Sequence, residues 1–170
     1  MTYRDLLFKY AEAMCKASAL WPVANDLDFH PGLALVDEYR TVSAECERLK
    51  LELALHPQSK AHSVSFSGVD HDVCHYEIDA ALRERFEGFV SCDSEAGCFF
   101  AYARHDFADV VEKFLRDNFP GLDFERVDNL AKLQAGDTDC LCSVIIPEAS
   151  NWEKARKHLK REVESMGGAR

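Results

Sequence analysis

No apolar run in this 170-residue chain approaches the ~18–20 residues of a membrane-spanning helix, so a membrane partner is not expected. The start, MTYRDLLFKYAEAM, sets Asp5 and Glu12 where a secretory signal needs an unbroken apolar stretch, which predicts a cytoplasmic protein. There is no Gly-x-Ser-x-Gly, no phosphate-cradling Gly-rich loop, no Gly-x-Gly-x-x-Gly and no Cys-x-x-Cys. The motifs of serine hydrolases, nucleotide-binding enzymes and zinc ribbons are therefore missing, and no cofactor is expected. Internal repeats and low-complexity tracts are absent as well.

Basic residues are in short supply. Lys and Arg number 20 against 30 Asp and Glu, a net charge of −10. The deficit is uneven: the balance is −2 over residues 1–60, −11 over 61–148 and +3 over 149–170. A middle section this acidic repels nucleic acid and anionic membranes and attracts basic surfaces. The seven cysteines are odd in number and irregular in spacing, and five of them sit inside apolar patterns, as reduced small hydrophobes do.

What the chain does have, from its first residues, is heptad spacing. Tyr3, Leu7, Tyr10, Met14, Ala17 and Trp21 run 4-3-4-3-4, and Leu35, Tyr39, Val42, Cys46, Leu49, Leu53 and His56 run 4-3-4-3-4-3. Stripes of period 3.5 keep one edge of a helix against a partner. The reading is an antiparallel helical hairpin over residues 1–57, its seams closing within the chain or, as a homodimer, between chains. Thr2 and Asp5 form the start signal of the first helix, Trp21-Pro22 its stop, Pro31 opens the second and Pro57 ends it. Pro57–Ser63 then reads as a linker.

From residue 63 to 170 the pattern is that of an α+β domain with a C-terminal helix. Val64 and Phe66 alternate with serines in a short strand closed by Gly68, and Tyr76–Ile78 reads as strand with Asp79 capping a brief helix. Phe89–Cys92 and Cys98–Ala103 form a hairpin around a turn at Asp93–Gly97, placed centrally because both its faces are apolar. Phe107, Val110, Val111, Phe114 and Leu115 mark an amphipathic helix capped by Asp106. Leu122–Val127 is a strand, Asn129–Ala135 a short helix ended by Gly136, and Cys140, Cys142, Val144 and Ile146 one face of a last strand. Ser150 and Glu153 form a capping box for a final helix edged by Trp152, Ala155, Leu159, Val163 and Met166. The expected fold is α+β: the hairpin, then a small, mostly antiparallel sheet covered by two helices, loosely ferredoxin-like.

Two classes of function follow. The first is a non-catalytic protein-interaction domain that docks on a basic partner surface, acting as an inhibitor where it occupies a nucleic-acid-binding site by charge mimicry. Its contact residues would be Asp93 and Glu95 at the hairpin tip and Asp106, Asp109, Glu112 and Asp117 along the regular helix. The alternative is a small metal-binding or cysteine-dependent enzyme built around His71, Cys74, His75 or Cys98, with Cys140/Cys142 or Cys92/Cys98 completing a zinc set. Adjacent side chains diverge in an extended chain, which separates Cys74 from His75. Asp93 and Glu95 disfavour a thiolate beside them. His71-Asp72 and His105-Asp106 spell the pair used by metal phosphohydrolases of the HD type, but an aspartate opening a helix is an ordinary cap. The run Lys154, Arg156, Lys157, Lys160 and Arg161 reads as the solvated face of the last helix. No catalytic residue and no metal ligand is expected; the interaction reading is preferred.

Overall fold

The computed structural model describes residues 1–26, 33–69, 75–87, 90–95 and 98–150. Two compact units divide the chain, one of Met1–Ser59 with the residues from Ile146 onward, the other Lys60–Ile145. Among the described residues no helix is long and apolar enough to cross a membrane.

The first unit is built on helices α1 (Tyr3–Asp26) and α2 (Ala34–Leu55). The Thr2 hydroxyl accepts from the Asp5 amide at 3.1 Å and the Asp5 carboxylate accepts from the Thr2 amide at 3.2 Å, a reciprocal cap that satisfies two otherwise orphaned backbone donors. Tyr3 meets His56 at 5.0 Å between rings, Lys16 meets Glu38 at 2.7 Å and Trp21 meets Tyr39 at 5.5 Å. Low numbers on α1 pair with high numbers on α2, so the two helices run antiparallel. Leu49 and Leu53 are 1% and 0% exposed, and Leu7 and Tyr10 are buried opposite them on the α1 stripe. Leu6, Ala11 and Ala54 are buried too, which makes the buried stripe wider than a heptad seam alone.

Two sequence expectations for this unit change. Helix α1 does not stop at Pro22; it carries the proline inside and ends at Asp26. A mid-helix proline forfeits one backbone hydrogen bond and costs about 3 kcal/mol. The packing of Trp21 on Tyr39 and the burial of Ala24 beyond it act against that cost. Burial along the stripe falls off at the connecting end, where Trp21 and Leu35 are 51% and 44% exposed while Val36 is buried. Pro31 lies outside the described residues. Residues 147–150 are already helical, so Ser150 sits inside that turn rather than capping a helix. Pro147 opens the turn, where its missing N–H is harmless. Everything expected of residues 151–170 lies outside the described residues.

The second unit holds strands β1 (His62–Val69), β2 (Val90–Glu95), β3 (Cys98–Arg104) and β4 (Asp123–Asp128), with helices α3 (His75–Arg85), α4 (Ala108–Asn118) and α5 (Asn129–Gln134). The sheet order is β2-β3-β1-β4 and every neighbouring pair is antiparallel. The connectivity β1-α3-β2-β3-α4-β4 with that order is the ferredoxin-like βαββαβ arrangement. Val64, Phe66, Phe99, Ala101, Ala103, Val90 and Cys92 share one face and pack with Ile78 and Leu82 of α3, Phe86 just after it, and Ala108, Val111 and Leu115 of α4. Phe66 and Phe99 are fully buried there, each worth roughly 1.5–3 kcal/mol of apolar burial.

Several local expectations give way to this packing. Tyr76–Ile78 belongs to α3 rather than to a strand, because Ile78, Leu82 and Phe86 recur at helical spacing and are all buried; Asp79 lies inside that helix. The 89–103 hairpin is not wholly central: β3 is an inner strand and β2 an edge. Glu95 pairs with Cys98, so Asp93 and Glu95 belong to β2 and not to its turn. Asp106 does not cap α4; it sits in a 3-10 turn, His105–Phe107, and its carboxylate takes the Arg104 guanidinium at 2.6 Å instead. Val110 leaves the apolar stripe of α4 and is 53% exposed, its place taken by Ala108. The linker is shorter than expected, since β1 begins at His62, whose amide donates to the Ile145 carbonyl at 2.8 Å.

Candidate functional site

Helices α3 and α4 cover one face of the sheet, and the residues of the other face can be read from strand register. Across the order β2-β3-β1-β4, one row is Ser91, Tyr102, Ser65 and Val127, and the next is Asp93, Phe100, Ser67 and Glu125. Side chains two residues apart on a strand point the same way, so Phe100 and Tyr102 stand together on the inner strand β3. The serines of β1 opposite them are small. Carboxylates occupy the two edges of the second row.

The chain after β4 forms the wall of this face. Asp128 caps α5, its Oδ1 accepting from the Ala131 amide at 2.9 Å. The helix ends in a Schellman turn: Gly136 has φ +88°, its amide donates to the Leu133 carbonyl at 3.0 Å, and the Asp137 amide donates to the Lys132 carbonyl at 3.0 Å. Asp137 Oδ1 then accepts from the Asp139 amide at 3.0 Å and starts the 3-10 turn Asp139–Ser143. This replaces the strand expected over Cys140–Ile146. Local turn chemistry wins there, and the two cysteines separate, Cys140 buried and Cys142 exposed. The Cys140 thiol lies 3.4 Å from the carbonyl oxygens of Asn129 and Asp137, tying turn to helix. Asn129 is itself buried and donates from Nδ2 to the Ser65 hydroxyl at 3.2 Å.

Between wall and sheet lies a cleft of about 340 Å³, with Phe100 and Tyr102 on its floor and Asp137, Asp139 and Lys132 on its wall. Burial, with Asp93 and Cys142 adding, pushes the Tyr102 phenol above its usual range. The phenol therefore stays protonated, a donor as well as an acceptor.

The residues singled out from sequence fall in different places. Asp93 joins the rim of this cleft face. Asp109 and Glu112 reach Arg126 of β4 at 2.8 and 2.5 Å, Glu112 also takes Arg116 at 2.9 Å, and Asp117 takes Lys113 at 2.6 Å. Hydrogen bonds from Arg126 and then Arg116 hold the Glu112 carboxyl below its usual range. The acid of α4 is thus met by the protein's own cations.

His71, Asp72 and Cys74 lie outside the described residues. His75 opens α3 with its ring 4.4 Å from that of Tyr76. Cys98 opens β3 and is partly exposed, while Cys92 is buried. Burial, with Asp79 adding, pushes the Cys92 thiol up to about 12, which makes it a poor nucleophile. His105 Nε2 lies 3.1 Å from Asp128 Oδ2, the same carboxylate that caps α5. Among the described residues no group of three or more His, Cys, Asp and Glu is placed to hold a metal ion. The chain matches no protein-family model, no curated protein and no solved structure.

Proposed function

We propose that this protein is a non-catalytic interaction domain that docks on a basic partner surface. One observation carries the reading: the sheet face left uncovered by α3 and α4 has an aromatic floor and four carboxylates, Asp93, Glu125, Asp137 and Asp139, with Lys132 as the cation of its cleft. The acid of α4 adds long-range attraction, while its ion pairs blunt it at contact distance. Charge of this kind mainly accelerates encounter, and apolar and aromatic contacts supply much of the final affinity. Where the basic surface is one that binds nucleic acid, the domain competes for it with carboxylates standing in for phosphates. The proposal extends to a cytoplasmic setting with reduced thiols.

The test is kinetic. Association with an immobilised Lys/Arg-rich peptide is measured at low and high salt for the wild type, Asp137→Lys/Asp139→Lys and Asp109→Lys/Glu112→Lys. The expected result is association that slows with salt and with either charge reversal. An association rate indifferent to both would mean that the acid serves solubility alone.

A further inference from the structure

We infer that the cleft beside α5 is a receptor for an arginine side chain projecting from that basic partner, a refinement that rests on the docking reading above. The argument concerns shape and chemistry rather than net charge. A guanidinium is planar and weakly hydrated; it stacks on aromatic faces and presents a fork of donors to carboxylates. The cleft offers both complements. Phe100 and Tyr102 lie side by side on β3, and the residues facing them across the strand pair, Ser67 and Ser65, are too small to cover the rings. Asp137 and Asp139 stand on the wall, set there by the Schellman turn and the hydrogen bond between them. A volume of about 340 Å³ is at the lower end of ligand-sized pockets, which suits one long side chain rather than a cofactor.

Other occupants fit less well. Lysine brings a compact, strongly hydrated ammonium that gains little from a ring face and cannot use the donor fork. Four-stranded sheets that read single-stranded RNA also stack bases on aromatics of their strands. They rely on basic residues to neutralise the backbone, whereas this face carries Asp93 on one edge strand and Glu125 on the other. Phosphates would meet carboxylates on both sides of any stacked base.

The 170-residue chain is titrated into labelled, unstructured peptides of equal length and charge, one carrying arginine and one lysine, and into a single-stranded RNA. The arginine peptide should bind roughly 3- to 30-fold more tightly than the lysine peptide, as a desolvated cation–π contact allows. It should also shift the ring-proton resonances of Phe100 and Tyr102. Asp137→Asn/Asp139→Asn keeps the shape and the Asp137 acceptor and should cost roughly tenfold on the arginine peptide. Phe100→Leu should reduce the preference for arginine, with Tyr102 left as the second ring, and its melting curve checks that the variant is folded. Equal binding of both peptides, unmoved by the cleft variants, would overturn the arginine receptor and leave the docking reading standing. No binding of either peptide at low salt would remove both. Tighter binding of the RNA would overturn both in favour of a nucleic-acid-binding face.

Discussion

Gly68 offers the sharpest test of the sheet. It lies in β1 with Phe99 on one side and Phe124 on the other. A Cβ at this position would sit 2.3 Å from the Asp123 carbonyl oxygen, 2.9 Å from Cε1 of Phe99 and 3.0 Å from Cα of Phe124. The first and third neighbours are backbone, so relief requires β4 to move by most of an ångström. That strand is held by Arg126, bound to Asp109 and Glu112 of α4, and by Phe124 edge-on to Phe66 at 5.9 Å. Overpacking of this kind costs about 1–3 kcal/mol, against which the lost freedom of the unfolded chain returns about 0.4–1. Gly68→Ala should therefore destabilise by about 1–2 kcal/mol, a fall of about 2–8 °C in Tm for a chain of this size. Urea unfolding and amide exchange measure it, and exchange should quicken in β4 first. Gly136→Ala is the matched control. Nothing lies within 4 Å of its Cβ, and its cost of about 1–2 kcal/mol comes only from the left-handed backbone, so β4 should exchange as in the wild type. A Gly68→Ala protein as stable as its parent would refute the close approach of β1 and β4.

The other expectations are shorter. Leu49→Ala should cost about 2–5 kcal/mol in urea unfolding, and a loss under about 1 would mean that the hairpin seam is not a packed core. Among the thiols of the described residues, an alkylating reagent under native conditions should reach exposed Cys142 first and buried Cys92 last; once the chain is denatured without reductant all seven thiols should react, and a mass short by two alkyl groups would reveal a disulfide. His62 is buried with no hydrogen-bond partner for either ring nitrogen, and burial, with Arg104 adding, lowers its pKa from 6.5 to about 4. Between those values the unfolded chain takes up a proton that the folded chain refuses, so stability should fall as pH drops through that window, by up to about 3 kcal/mol. His62→Phe should remove that part of the slope in pH-dependent unfolding, and a slope identical to the wild type would assign the acid sensitivity elsewhere.

The elements legible in the sequence were those whose burial is periodic over a long stretch. The two heptad stripes became α1 and α2, and the alternation at Val64 and Phe66 became β1. Gly136 was legible as a stop because a left-handed residue there has one common occupant. Misreadings came where a short pattern admits two periods. Tyr76–Ile78 suits a strand until Leu82 and Phe86 extend its buried spacing to helical. Cys140, Cys142, Val144 and Ile146 alternate as a strand would, yet the Asp137 carboxylate ordering the Asp139 amide starts a 3-10 turn. The local rule for Pro22 predicts a stop, whereas packing on either side of it carries the helix through.

The candidate site was less legible because charge pairing is a property of strand order. Read along the sequence, Asp109 and Glu112 are the free outer acids of an amphipathic helix. Only when β4 lies at the sheet edge, on the helix-covered side, does Arg126 reach both. Most other cations of the acidic section are engaged more locally. Arg83 donates to the Cys92 carbonyl at 2.5 Å, Arg85 lies over Phe86, Arg104 binds Asp106, and Lys113 and Arg116 bind acids of their own helix. Lys132 alone among the cations of this section lines the cleft. Cations thus pair with the carboxylates of α4, while Asp137 and Asp139 share the cleft at Phe100 and Tyr102 with Lys132. The apolar residues on both faces of the Cys98–Ala103 strand did signal a second useful surface. What that surface meets depends on Asp137 and Asp139, placed by a turn more than 30 residues downstream, and on Glu125, placed by its register with Ser67.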